Sequence, residues 1–286
     1  GARTLVYVRG VAPPAPHVPQ GLVSLLDRRG SDTAGGPALT TALRDGDRRG
    51  VQHWLLPDAG GRLVDVERRT ADAAFSVRTL LPSGRPGPRH AVTWPSDVAW
   101  RVRPTARPVL SGGRVLVATQ DGVAPRALIA LTRAGRLDRA WGRRGVTRLK
   151  DGAAWLLPWR GGVIVVGRRG ATWVDRHGRV LGRRALRVDA AATDRAGRLV
   201  VARTADDFRH VSVLRLDARH RVDRGFGRLA LRAAAGGRSR PLAIAAGDDG
   251  RVVVLGERVA YETFSDFRED FTDLVPRGTV IWRLRR

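Results

Sequence analysis

Apolar residues recur along the chain in short runs broken by glycine, aspartate and arginine, and nowhere with a sustained helical period. Pro241-Leu242-Ala243-Ile244-Ala245-Ala246 turns through Asp248-Asp249-Gly250 into Arg251-Val252-Val253-Val254-Leu255-Gly256, and Ala190-Ala191-Ala192 turns into Leu199-Val200-Val201-Ala202. Asp-Gly and Gly-Arg between apolar runs signal hairpins, because glycine accepts the positive φ of a tight turn. Third runs follow, such as Ala127-Leu128-Ile129-Ala130-Leu131 and Val211-Ser212-Val213-Leu214. Short strands separated by such turns predict an all-β chain.

The same order returns at a fixed period. Leu131-Thr132-Arg133-Ala134-Gly135-Arg136-Leu137-Asp138-Arg139-Ala140-Trp141-Gly142 aligns without gaps to Leu216-Asp217-Ala218-Arg219-His220-Arg221-Val222-Asp223-Arg224-Gly225-Phe226-Gly227, an offset of 85. Midway lies Val174-Asp175-Arg176-His177-Gly178-Arg179-Val180, giving steps of 43 and 42. Looser copies follow Leu26, Val66 and Leu284. A unit of about 40 to 50 residues is one four-stranded blade. The expected fold is therefore a single β-propeller domain over 1–286 with six blades, at about 1–48, 49–91, 92–150, 151–188, 189–236 and 237–286. Five or seven blades stay open. Two long steps require insertions near 83–112 and 257–277, and strands at 4–8 and 280–284 are expected to close the ring so that no edge is left unpaired.

The motifs Leu137-Asp138-Arg139-Ala140-Trp141-Gly142 and Val222-Asp223-Arg224-Gly225-Phe226-Gly227 resemble the delta-60 type repeats of bacterial β-propellers. Those units read apolar, three residues, Gly, one residue, Leu-Asp, two residues, Phe-Gly, then a strand. The resemblance covers about 113–256 well; the first two units lack the Phe-Gly pair, and the unit at 174 has Leu181-Gly182 where Asp and an aromatic belong. It implies a scaffold fold in exported proteins and leaves the activity open.

Charge changes the picture most. Lys+Arg number 52 against 27 Asp+Glu, a formal net charge of +25, and Lys150 is the one lysine. Two readings of this arginine excess stand: selection for bidentate contact with carboxylate, phosphate or sulfate, and the codon bias of a GC-rich genome. Under either, the charge attracts polyanions. Cysteine is absent, which excludes disulfides, thiolate catalysis and Cys-ligated zinc. The chain opens Gly1-Ala2-Arg3 and contains no Met, the pattern of a trimmed exported protein, so an extracytoplasmic location is expected. No apolar run approaches the ~18 residues of a membrane helix.

Catalytic spacing is missing. Gly225-Phe226-Gly227-Arg228-Leu229-Ala230 fits Gly-x-Gly-x-x-Ala, but the repeat already accounts for it and no long helix follows. Ser83, Ser111 and Ser239 lie in no nucleophile elbow, and His17, His53, His90, His177, His210 and His220 show no metalloprotease spacing. His177 and His220 fall in turns and are expected to be solvated. No catalytic residue, cofactor or metal ligand set is expected.

Binding candidates remain. Trp54, Trp100 and Trp155 stand in first strands of their units, either as packing between blades or as a sugar-stacking platform. The segment 257–273 is acidic and aromatic, carrying Tyr261, Glu262, Asp266 and Asp270, and reads as an ordered loop, a partner-binding loop or a calcium site. Arg28, Arg29, Arg68 and Arg69, together with Arg139, Arg143, Arg144, Arg179, Arg221 and Arg224, are placed in turns after third strands, an anion-binding face. The expected function is a noncatalytic, monomeric binding scaffold for an anionic polymer, such as a cell-wall glycopolymer, or for a protein. A propeller lyase or glycosidase using acids near the channel is the alternative, and nucleic-acid binding ranks third because aromatics are only 6% and no reader motif is present.

Overall fold

The computed structural model describes residues 4–10, 20–26, 51–57, 63–69, 74–80, 86–94, 103–104, 106–120, 126–206, 208–232, 237–247, 251–265 and 270–284. Every regular element among them is a β-strand, so the chain is all-β, and none of its described residues forms a helix long and apolar enough to cross a membrane.

The strands pair into successive antiparallel sheets in chain order. β1 (Thr4–Gly10) pairs β2 (Gln20–Leu26). A second sheet runs β3 (Val51–Pro57), β4 (Leu63–Arg69), β5 (Phe75–Leu80), β6 (Pro86–Ala91). In the third, β7 (Arg103–Pro104) and β8 (Val109–Ser111) both pair β9 (Arg114–Gln120), which continues to β10 (Ala127–Leu131) and β11 (Val146–Arg148). The fourth runs β12 (Trp155–Trp159), β13 (Gly162–Gly167), β14 (Gly170–Val174), β15 (Val180–Ala185). The fifth runs β16 (Ala190–Thr193), β17 (Leu199–Thr204), β18 (His210–Arg215), β19 (Arg228–Arg232). The last holds β20 (Arg238–Ala246), β21 (Val252–Ser265) and β22 (Asp270–Leu284). A four-stranded up-and-down meander is the blade of a propeller, and the second, fourth and fifth sheets have that topology.

The hairpins follow the glycines. Trp159 pairs Gly162 across Arg160 and Gly161, at φ 46° and 75°, and Ser111 pairs Arg114 across Gly112 and Gly113, at φ 57° and 79°. Two residues with positive φ make the type I′ turn, whose twist matches that of the flanking strands.

The chain divides into two compact units, Gly1–Gly152 with Arg176–Arg179, and Ala153–Asp175 with Val180–Arg286. Within the first, Leu56, Val64, Val66, Phe75 and Val77 of the second sheet bury against Val115, Val117, Ile129 and Leu131 of the third. Within the second unit the fifth sheet is covered on both faces. Leu199, Val201, Leu214 and Leu216 pack on Ile164, Val166 and Trp173 of the fourth sheet, while Val200, Ala202, Val211 and Val213 pack on Val252 and Val254 of the last. Successive strand residues point to opposite faces, so a sheet buried on both sides reads as the unbroken apolar run Leu199-Val200-Val201-Ala202.

Two expectations are corrected. Arg68 and Arg69 lie at the end of β4, a second strand, not in a turn after a third one. Asp65 and Glu67 alternate there with Val64 and Val66 and are buried as ion pairs, so polar letters that suggested a turn belong to a strand. In the segment 257–273, expected as an ordered loop, the described residues 257–265 and 270–273 are strand: β21 and β22 stay paired from Glu257↔Thr279 to Ser265↔Asp270, and 266–269 lie outside the described residues.

Candidate anion-binding site

The repeat motif builds its own loop between β10 and β11. Leu137 bridges back to Leu131, the Asp138 N–H donates to the Ala130 carbonyl at 2.9 Å, and the Asp138 carboxylate accepts from the Ala140 N–H at 3.1 Å and from Arg114 of the preceding hairpin. Trp141, fully buried, anchors the far side. Gly135 sits at φ 69°, where a Cβ would also come within 3.2 Å of the His90 carbonyl oxygen, so residues 90–92 run against the loop. Beyond Trp141 the Gly142 N–H donates to the His177 carbonyl at 2.8 Å, and Thr147 Oγ1 donates to the Gly178 carbonyl at 2.6 Å, which fixes the turn 176–179 beside it.

Next comes a feature the copy at 216–227 lacks. Arg143 and Val146 exchange backbone hydrogen bonds at 2.8 and 3.3 Å around Arg144 and Gly145, at φ 55° and 91°. This is a two-residue turn with both φ positive, and its first position usually holds Asn, Asp or Gly. An arginine there is held in a conformation that costs a residue with a Cβ about 1 kcal/mol.

These elements enclose an open groove of about 1670 Å³, lined by Arg139, Arg143, Arg144, Arg148, Arg179 and Trp94, with no carboxylate among the described residues that line it. Arg139, Arg143, Arg144 and Arg148 are exposed and form no ion pair among the described residues. The one acid of the loop, Asp138, is held by Arg114. The guanidinium groups of Arg139, Arg143, Arg144 and Arg148, on a groove with no carboxylate in its described lining, suit carboxylate, sulfate or phosphate oxygens.

Of the residues expected at an anion face, Arg139, Arg143, Arg144 and Arg179 are brought together here; sequence reasoning missed Arg148 and Trp94. Arg221 and Arg224 occupy the equivalent loop of the second unit, both exposed, and Arg221 Nε lies 3.5 Å from Asp217. Trp54 stacks on Phe75 at 6.2 Å within the first unit's core, and Trp155 packs against the cluster around Trp159 and Trp173. Trp100 and Asp266 lie outside the described residues. The backbone of Tyr261, Glu262 and Asp270 belongs to β21 and β22. The nucleotide-like Gly225-to-Ala230 segment is a turn leading into β19, where a dinucleotide motif would open a helix.

In the second unit several arginines at the same loop are paired with acids. Arg215, buried, reaches Asp223 at 2.7 Å and Asp194 at 3.5 Å, and Arg198 reaches Asp194 at 2.8 Å. Burial opposes ionisation of Asp223, but hydrogen bonds from Arg215 and from the Phe226 and Gly225 amides outweigh it and hold its carboxyl below the usual 3.8. The Asp217 carboxyl is held low chiefly by the backbone N–H of Arg221. His220, expected in solvent, stacks on Trp173 at 3.8 Å, and burial there depresses its pKa below 6.5 against the pull of Asp217, with Arg160 adding to the depression.

A buried cluster on β3 to β6 gave no motif. His53 Nδ1 lies 3.1 Å from Asp65, and one donor atom each of His53, Asp65 and Glu67 fall within 4.8 Å of one another, a spacing a cation could bridge. Arg78 already fills that role, with Nη2 at 2.9 Å from Asp65 and 3.0 Å from Glu67, and Arg89 pairs Glu67. Two carboxylates are thus balanced by two guanidinium groups, and both acids are buried. The signal for the cluster was Val64-Asp65-Val66-Glu67 facing Ser76 and Arg78 across two strands.

No family model matches the sequence, and no curated protein does. Among solved structures, the chain is similar to a protein from Lactobacillus plantarum at 10% identity, covering 98% of this chain and 82% of that one with a TM-score of 0.48. It is also similar to a luciferin-regenerating enzyme at 15% identity, covering 80% and 76% with a TM-score of 0.40. A third similarity is to the WD40 domain of Neurospora crassa Pan2 at 10% identity, covering 71% and 74% with a TM-score of 0.40.

Proposed function

We propose that this protein is a noncatalytic binding scaffold of the β-propeller type whose arginine groove holds an anionic polymer. One observation carries the reading: Arg139, Arg143, Arg144 and Arg148 line a groove in which, among the described residues, there is no carboxylate and these arginines form no ion pair. Uncompensated charge on one side of a groove costs self-repulsion unless a ligand offsets it. The volume, about 1670 Å³, exceeds the roughly 300 to 1,000 Å³ of a small-molecule pocket, which favours a chain passing through over a single small anion.

The test is titration of a fluorescent polyanion at two salt concentrations against the wild type and the double variant Arg143→Glu, Arg144→Glu. Wild-type affinity falls with salt, as screened contacts require, and the double variant binds more than about tenfold more weakly with its melting temperature unchanged. Equal binding by the two proteins, or no binding to any polyanion at low salt, overturns the reading.

A further inference from the structure

We propose that the polymer is an acidic polysaccharide, a chain of sugar rings bearing carboxylate or sulfate, and that Trp94 is the surface on which one ring stacks. The proposal rests on the anion-binding reading of the groove and narrows it to one ligand class. Trp94 lines the groove together with the arginines and is half-buried. Its position is set from below: the ring meets Phe75 edge to face at 5.0 Å and 87°, and Trp94, Val92 and Leu137 all pack on the core that Phe75 belongs to. Close contact of Gly135 with His90 and Val92 holds the strand end leading to Trp94 against the arginine loop.

A groove that bound only charge would gain nothing from an indole in its wall. A polyphosphate has no apolar face to offer. A pyranose has C–H groups on one face and its acid group at the edge, so one face can cover an aromatic ring while the carboxylate or sulfate reaches a guanidinium fork. The groove presents both partners in its lining: an indole supported from below by Phe75, and Arg139, Arg143, Arg144 and Arg148.

The experiment compares oligogalacturonate, polyphosphate of matched charge and single-stranded DNA, titrated against the wild type, Trp94→Ala and Trp94→Phe, with thermal unfolding followed for each protein. The expected result is that Trp94→Ala weakens oligogalacturonate binding about fivefold to tenfold and changes polyphosphate binding less than about twofold, while Trp94→Phe restores most of the loss. A Trp94→Ala protein that loses both ligands alike, a wild type that prefers polyphosphate, or a stacking loss seen with single-stranded DNA and not with the sugar acid each overturns the proposal while leaving the anion groove standing. If no polyanion binds the wild type at all, the groove reading itself fails. Should Trp94→Ala not fold, the Trp94→Phe protein decides, since it must keep oligogalacturonate affinity within about threefold.

Discussion

The loops at 131–148 and 216–232 start from the same repeat, and both are net positive, but they differ in how many of their arginines meet an acid. In both, the motif aspartate caps its own turn and binds an arginine, Asp138 with Arg114 and Asp223 with Arg215. In the second loop Asp217 stands where the first has Thr132, and Arg221 is paired to it; Arg198 and Arg215 are tied to Asp194 and Asp223. In the first, the chain adds the Arg143-Arg144-Gly145-Val146 hairpin, and its arginines meet no acid among the described residues. One motif therefore sets arginine in two ways: as a structural cross-link where a carboxylate lies within reach, and as an exposed charge, which the proposed function assigns to a ligand, where none does among the described residues.

The largest test of that contrast is to delete one arginine of each kind. Arg215→Ala leaves Asp194 buried with only Arg198 to offset it and Asp223 without its closest partner, and breaking a buried pair from one side costs about 3 to 5 kcal/mol. Arg143→Ala removes an exposed, repelled charge and shifts stability by no more than about 0.5 kcal/mol. Denaturant unfolding of the two variants reads this directly. Equal losses would erase the distinction between the loops.

A second test uses acid. The Asp223 carboxyl is held below its ordinary 3.8 in the fold, so its contribution to stability is complete above about pH 3.8 and is lost as pH falls through the lowered folded value. Asp223→Asn keeps an oxygen for the Gly225 and Phe226 amides but loses the charge opposite Arg215, a cost of about 2 kcal/mol near neutral pH. The stability gap between wild type and variant is expected to close as the pH is lowered toward 2. A gap independent of pH would mean that Asp223 acts as a neutral cap, and the two loops would then differ less than their ion pairs suggest.

What the sequence disclosed follows the same division. The turns were legible because their requirements are local. Gly135, Gly178 and His220 occupy one repeat position, all with φ near 60° to 80°, and Asp138 and Asp223 cap at another. The arginines of those turns could be named as an anion face from their place after a strand. Partners set by register could not be read in that way. Arg215 meets Asp194 only because β17 lies between their strands, and Arg78 joins Asp65 to Glu67 only through the pairing of β4 with β5. For the same reason Arg68 and Arg69, in a charged strand, were mistaken for a turn. Trp94 reaches the groove just beyond the end of β6, far from the repeat in sequence, and Arg148 belongs to the strand after the repeat.

The smallest effect is the most pointed, because stability and binding should move in opposite directions. Arg144 is held at φ 55° in the first position of its two-residue turn, where asparagine is at ease and arginine is not. Arg144→Asn is therefore expected to raise stability by about 0.5 to 1 kcal/mol, through relief of the left-handed backbone cost. The same change removes one guanidinium from the groove and should weaken polyanion binding about threefold to tenfold. His220, also at positive φ in the second loop, supplies the control: His220→Gly relieves the same backbone cost but gives up stacking on Trp173, so its stability changes little and any polyanion affinity stays put. Strain kept at Arg144 without a stacking partner, and released only at the expense of binding, is what a residue retained for its ligand should show. An Arg144→Asn protein that melts lower, or binds as tightly as the wild type, would separate the turn from the site.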